Sequence, residues 1–475
     1  MLVAANLLIK PFWILGVDLQ VQNVVGAETY GLFYAVFNFS FLFHILLDIG
    51  INQFNNREVA QDPNNISTFF GNLLFLKILL SFVYLAVTFG IAFQIGFSAF
   101  QLKLLAFLAL NQVFYSGVLF ARSNFTALHW FKWDIFFSVL DRLLAIILCV
   151  LLIYTNVFAF EFKIEHFVYA QSFALGISAS ISLVVLLLKA KVTWPTFNYD
   201  ELKSLLKQSF PYALAILVMS IYMRVDAIMI ERILPETGQY EAGIYAAAYR
   251  LLDAANMIPF LFASILIPVT ARFLKENKAF QPLMNASLNF LLCISILTAI
   301  VVYFLGNEIL SLLYVDSTSY WYYTFVLLFV VFNFTCINYI FGSFLTAAGK
   351  MIYISKLGLV ALVVNITFNY FLIMKYGAAG AALATLITQI VVVVGNVAYT
   401  VRYWKINYSW LNILKFGLYA AILVAVAYFS PQFIEFWIYN LFIISVIAVI
   451  LAFALRLIDK EILLQLPKYK NEQRI

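Results

Sequence analysis

Residues Val3 to Val25 read VAANLLIKPFWILGVDLQVQNVV, an apolar run interrupted by one lysine, Lys10, and one aspartate, Asp18. At about 1.5 Å per residue the run is long enough to cross about 30 Å of hydrocarbon as a helix. Apart from a closed barrel, only a helix satisfies its own backbone polar groups there. A cation at the bilayer centre costs about 2.5 to 3.5 kcal/mol or more, so Lys10 demands a reason. Lys77, Arg142, Arg224 and Arg250 interrupt other apolar runs in the same way, and these stretches also hold Asp48, Asp141, Asp226 and Asp253. Charges persist in such places when they face a wet cavity or an anionic ligand, or pair within the bundle.

Composition extends this reading to the whole chain. Of its 475 residues 64% are apolar and 11% charged, with a mean hydropathy of +0.96, far from the usual soluble balance. The chain is therefore expected to be an all-α integral membrane protein. Trp133, Trp194, Trp321, Trp404 and Trp410 flank apolar runs, as interfacial anchors do. Cys149, Cys293 and Cys336 show no CxxC spacing, and His44, His129 and His166 are scattered, so neither a disulfide framework, a metal site nor a cofactor is implied. The amino terminus lacks a basic n-region and an A-x-A-like cleavage site, so the first apolar segment is expected to be retained.

Fourteen runs are long enough to span. The first six occupy residues 1–190 and the next six residues 210–404, joined by an inside linker at 191–209 that carries Pro195. Two more spans and a basic tail fill residues 405–475. With the amino terminus inside, the inner connections hold 20 Lys and Arg and the outer ones only Lys103, Lys163, Arg232 and Lys375. This asymmetry places both termini in the cytoplasm. The outer loops are too short for a folded catalytic domain, and the basic tail reads as a positive-inside anchor rather than a nucleic-acid arm.

The two sets of six repeat each other weakly. Val17-Asp18 recurs as Val225-Asp226, and Tyr30-Gly31-Leu32-Phe33-Tyr34-Ala35 as Ala242-Gly243-Ile244-Tyr245-Ala246-Ala247, with offsets of 208 and 212 residues. Six intervening spans give both copies the same orientation, a parallel repeat of the kind that sets a cargo site between lobes in transporters. Counted from the membrane edges, Lys10 and Arg142 lie roughly 10 Å and Lys77 roughly 14 Å from the inside, and Arg224 and Arg250 roughly 10 Å from the outside. Such a spacing suits an anion moving outward. The carboxylates Asp18, Asp48, Asp141, Asp226 and Asp253 are candidates for coupling to an ion or for pairing with these cations; Arg250 and Asp253 share a helix face at i, i+3, and His44 and Asp48 at i, i+4.

Gly26-Ala27-Glu28-Thr29-Tyr30-Gly31-Leu32-Phe33, then Asp48-Ile49-Gly50 and Arg57-Glu58, resemble the opening of Wzx-like polysaccharide flippases of the multidrug/oligosaccharidyl-lipid/polysaccharide (MOP) exporter superfamily. Phe210-Pro211, Arg224-Val225-Asp226 and the block from Gly243 to Arg250 are similar to the start of that family's second lobe, and the run from Tyr376 to Thr385 to a later hairpin. The resemblance implies two pseudo-symmetric six-helix lobes plus two C-terminal helices. It also implies an internal cationic cavity and alternating access, carrying undecaprenyl-pyrophosphate-linked oligosaccharide across the bacterial inner membrane for surface polysaccharide synthesis. Lys10, Lys77, Arg142, Arg224 and Arg250 would meet the pyrophosphate, with a proton or sodium ion as a candidate coupling ion and membrane lipids around the bundle. Fourteen spans also resemble the lipid II flippase branch. A cation-coupled multidrug antiporter, switching through Asp18, Asp48 or Asp226, and a membrane polymerase or acyltransferase are the rival readings. The intramembrane cations argue against cationic drugs as cargo, and the short loops against an enzyme.

Single cysteines placed at Ser98, Glu236 or Ser317 are expected to react with a membrane-impermeant maleimide in intact cells, and one at Asn198 is not. Labelling at residue 198 would reverse the inside assignment of the linker.

Overall fold

The computed structural model describes residues 9, 11–62, 65–155, 161–190, 217, 220–276, 279–404 and 409–458. Lys10, the expected linker at 191–209 and the basic tail from residue 459 onward lie outside them. Every regular element among the described residues is helical. A π-helical turn, Trp13–Asp18, leads into α1 (Leu19–Val25), followed by α2 (Ala27–Leu42), α3 (Ile51–Gln61), α4 (Asn65–Gln94), α5 (Ala99–Ala127), α6 (Phe131–Phe137), α7 (Leu140–Tyr154) and α8 (Ile164–Ala190). Next come α9 (220–233), α10 (Gly238–Lys275), α11 (Gln281–Leu313), α12 (Trp321–Ala347), α13 (Met351–Trp404), α14 (Trp410–Phe429) and α15 (Trp437–Ala454).

Ten of these helical stretches are long and apolar enough to cross a membrane. One of them, α13, is two crossings. At Gly377 the backbone adopts φ 56° and ψ −132°, a conformation that glycine tolerates and other residues resist. The chain folds back there so tightly that a Cβ on Gly380 would lie 2.0 Å from the carbonyl oxygen of Leu372, eight residues earlier. Further along the hairpin Tyr353 donates to the Gly395 carbonyl at 2.7 Å and its ring stacks 3.9 Å from Tyr399. The second crossing is a bent pair, with Ala27–Leu42 meeting His44–Gln61 at 46°. Spans one and seven fall partly outside the described residues, whose helices are consistent with the expected fourteen crossings.

The chain forms two compact units, residues 1–246 and 247–475, dividing inside α10. In the first, the inner ends of α4, α5 and α6 close over Phe70, Phe120, Phe125 and Phe137. Trp133 packs beside them and carries the Lys189 ammonium 4.7 Å above its ring. The amino-terminal start of α10 belongs to this unit because it packs against the first two helices; Gln22 on α1 donates its amide to the Gly243 carbonyl at 3.1 Å. In the second unit the last two spans lie on α11. Tyr419, Leu423, Ala427, Ile444 and Ala448 bury themselves against Cys293, Ile300 and Val301, and the Tyr419 hydroxyl donates to the Cys293 carbonyl at 3.1 Å.

Gly380→Ala is expected to destabilise the protein by about 1 to 3 kcal/mol, the usual cost of overpacking a closed interface. Gly417→Ala is the internal control: nothing lies within 4 Å of its would-be Cβ, so relief of helix-interior glycine entropy should stabilise by about 0.5 to 1 kcal/mol. Thermal unfolding of the two variants in detergent checks the contrast.

Candidate functional site: charges inside the bundle

The second span cannot remain helical through its inner end. After α2 stops at Leu42 the chain makes one 3-10 turn, His44–Leu47, and then bends through Ile49 at φ 41° and Gly50 at φ 83° before α3 begins. Positive φ at a β-branched residue is costly and persists only where the surroundings over-determine it. Here the determinant is Lys77 on α4. Its ammonium donates to the Leu47 carbonyl at 3.2 Å, to Asp48 Oδ1 at 3.0 Å and to Ser116 Oγ at 3.0 Å. The Ser116 hydroxyl in turn donates to the same Leu47 carbonyl, and Asp48 Oδ1 accepts the Asn52 amide that opens α3. One cation thus satisfies the orphan carbonyl where a helix ends and the carboxylate where the next begins, in the polarity the helix dipole favours. The helical i, i+4 register expected between His44 and Asp48 is broken by this turn. Asp48 pairs with Lys77, while His44 stacks on Phe41 with centroids 5.3 Å apart.

A second group gathers around the start of the chain. Asp18, 1% exposed, closes the π-helical turn whose first residue is Trp13. The Arg142 guanidinium lies 5.1 Å from the Trp13 ring and 3.6 Å from Asp141, and the opposite neighbour of Trp13 is Phe167, stacked at 5.7 Å. Arg142 is about one third exposed and is held by a ring face and a carboxylate. π-turns of this kind recur at functional positions in helices.

Farther out, Arg224 on α9 donates to Asn38 Oδ1 at 3.4 Å and sits 5.1 Å above the Phe41 ring. Two residues on, the buried Asp226 accepts the Tyr245 hydroxyl at 2.7 Å. The two side chains lie on different sides of α9, as their spacing of about 200° requires. In the second unit Arg250 Nη1 is 3.9 Å from Asp253 Oδ2, the i, i+3 pair read from the sequence. That unit also carries buried amides: Asn369 donates to Asn365 at 3.1 Å, and Asn396 on α13 to Asn338 on α12 at 2.8 Å.

At the outer end of the seventh span, Arg232 Nε lies 2.8 Å from Glu231 Oε2, and Gln101 donates to Glu231 Oε1 at 2.8 Å and accepts from Arg232 at 3.0 Å. Sequence reasoning placed Arg232 in an outer loop and assigned it no contact. It also passed over Trp13, Asn38, Ser116 and Tyr245 as partners of the intramembrane charges. Asn38 and Ser116 carried a signal, since a polar residue inside an apolar span must find a bond.

A profile of the family described as "Polysaccharide biosynthesis protein" matches residues 3–274. The chain belongs to this family, and its fold is that of the MOP superfamily. The capsular polysaccharide biosynthesis protein CapF of Staphylococcus aureus is 24% identical over 201 residues, which are 42% of this chain and 50% of that relative. In structure the chain is similar to the lipid II flippase MurJ in an inward closed conformation, with TM-score 0.71 and 18% identity over 96% of this chain and 98% of that one. It is also similar to an inward-facing multidrug resistance MATE transporter, with TM-score 0.64 and 15% identity over 86% and 95%.

Replacing only Lys77 by Met strands the Asp48 carboxylate and the Leu47 carbonyl, and is expected to cost about 3 to 5 kcal/mol. Lys77→Met combined with Asp48→Asn should cost clearly less than the sum of the single changes, with a coupling of about 0.5 to 3 kcal/mol. Thermal unfolding in detergent of the four proteins of this cycle gives the coupling directly.

Proposed function

We propose that the protein moves a lipid-pyrophosphate-linked oligosaccharide, carried on undecaprenol, from the cytoplasmic to the outer leaflet of the bacterial inner membrane by alternating access, with both termini in the cytoplasm. Family membership supports a role in making surface polysaccharide. The observation that carries the reading is the set of guanidinium groups inside apolar helices, set among ring faces, an amide and carboxylates. Arg224 touches Asn38 and Phe41, and the partly exposed Arg142 lies over Trp13 beside Asp141. Arginine in such a setting offers two parallel N–H donors to phosphate oxygens, while a cationic drug would be repelled.

The driving force suits that cargo. A pyrophosphate head with about two negative charges gains about 4.6 kcal/mol on crossing outward through 100 mV, inside negative. The lipid tail stays in hydrocarbon and only the head and sugars need a polar path. Transport of this kind moves a molecule without making or breaking a bond, so the protein acts as a carrier rather than an enzyme. Lipid II, which presents the same pyrophosphate on the same lipid, is the second reading; similarity to MurJ extends over 96% of the chain, against 86% for the MATE transporter.

In this reading Arg224 and Arg250 each contact the pyrophosphate. Arg224→Ala or Arg250→Ala should remove a charge-assisted contact of about 1.5 to 3 kcal/mol and slow transport without reducing the amount of protein in the membrane. Arg224→Lys should restore part of the activity, because a point charge lacks the planar fork. Leaflet-resolved accumulation of the lipid-linked oligosaccharide in cells checks this. Build-up on the cytoplasmic side supports the assignment, whereas normal surface polysaccharide with both arginines replaced by alanine refutes it. Rescue of a strain lacking lipid II flipping, with no effect on surface polysaccharide, would favour the second reading.

A further inference from the structure

The first unit contains a helix crossing of unusual closeness. A Cβ built on Gly31 of α2 would lie 1.9 Å from the carbonyl oxygen of Gln239 and 2.4 Å from the amide nitrogen of Gly243, and one built on Gly243 would lie 2.0 Å from the carbonyl oxygen of Ala27. All of these obstructing atoms are backbone, so no side-chain rotation makes room. The contact is also reciprocal. Gly31 and Gly243 are matched positions of the repeat at an offset of 212, and at the same offset Ala27 matches Gln239. Gly31 therefore meets Gln239 while its counterpart Gly243 meets Ala27, the pattern of an isologous contact between two copies of one surface.

Direct bonds flank the crossing. Gln22 donates to the Gly243 carbonyl, and Gln101 joins Glu231 and Arg232 at the end of α9, where the Glu231 carbonyl packs on Gly238 at the start of α10. The same Gln101 closes the capping box of α5 with Ser98, and the Arg232 guanidinium rests 4.5 Å from the Phe97 ring. The latch thus ties the outer end of the seventh span to the turn between the third and fourth.

We infer that Gly31 and Gly243 form the outer gate of the transport path, a backbone-to-backbone closure latched by Gln101, Glu231 and Arg232. The inference rests on the alternating-access reading and adds to it the element that must separate before cargo leaves. Glycines suit such a gate. Closely apposed backbones exclude water without burying side-chain polar groups, and such surfaces have few states between contact and separation. Ala35 lies one turn inward of Gly31 on the same face of α2 and is buried, which makes it a reporter of gate opening.

The test uses the full chain in membrane vesicles of outside-out orientation, with Cys149, Cys293 and Cys336 replaced by alanine and Ala35→Cys as the single thiol. A membrane-impermeant methanethiosulfonate reagent added outside should react slowly with residue 35 in this parent. Gly31→Ala or Gly243→Ala should raise the rate about tenfold or more, the shift in open population produced by about 1.4 kcal/mol. Glu231→Gln with Arg232→Gln adds no atom at the crossing and should raise it by a smaller factor; if the glycine variants do not fold, this latch variant decides alone. Conversely, Gln101→Cys and Arg232→Cys joined by a short bifunctional thiol reagent should stop transport of lipid-linked oligosaccharide, and reduction should restore it. Unchanged labelling in every folded variant, or transport through the cross-linked protein, overturns the gate. Labelling that responds as stated while no lipid-linked sugar moves leaves the gate standing and defeats the cargo assignment instead.

Discussion

Hydrocarbon offers a polar atom no partner, and the structure follows from that constraint. Wherever the chain departs from a helix inside the membrane, a side chain must supply what the backbone loses. Lys77 shows the consequence most clearly. The break between α2 and α3 exposes the Leu47 carbonyl, and the lysine, 30 residues along, arrives with a serine and an aspartate to close it. Its charge is therefore spent on chain geometry. Arg224 and Arg142 are held differently, Arg224 beside the Phe41 ring and the Asn38 amide and Arg142 beside the Trp13 ring and the Asp141 carboxylate.

The intramembrane charges thus differ in how closely their partners hold them. A buried ion pair adds little net stability but makes any change of partner expensive. The Lys77–Asp48 pair accordingly fixes the angle at which the second span turns into its inner helix.

Much of the architecture was readable because its causes are local. Span number follows from apolar length, and the tight hairpin at Gly377 from a glycine-alanine run that permits backbone contact. The i, i+3 pair of Arg250 and Asp253 follows from helix periodicity. Partners brought together by tertiary packing were not readable in this way. No spacing rule connects Arg142 to Trp13, Gln101 to Glu231 or Tyr419 to Cys293, since their separations in sequence reflect only how the helices are stacked. The His44–Asp48 register failed for a related reason: periodicity assumes an unbroken helix, and the turn through Ile49 and Gly50 ends it.

The internal repeat links the readable part to the unreadable part. Matching two hexapeptides at an offset of 212 predicted only that two regions resemble each other. A reciprocal contact at that same offset, Gly31 on Gln239 and Gly243 on Ala27, shows that the resemblance is used in three dimensions. A duplicated surface that touches its own copy must be self-complementary, and the smallest self-complementary surface between helices is bare backbone. Glycine at both matched positions is then a requirement of the contact rather than a coincidence of composition. The polar latch beside it lacks this symmetry, because Gln101 comes from neither matched segment. Symmetry would thus set where the path closes, and asymmetric side chains how firmly.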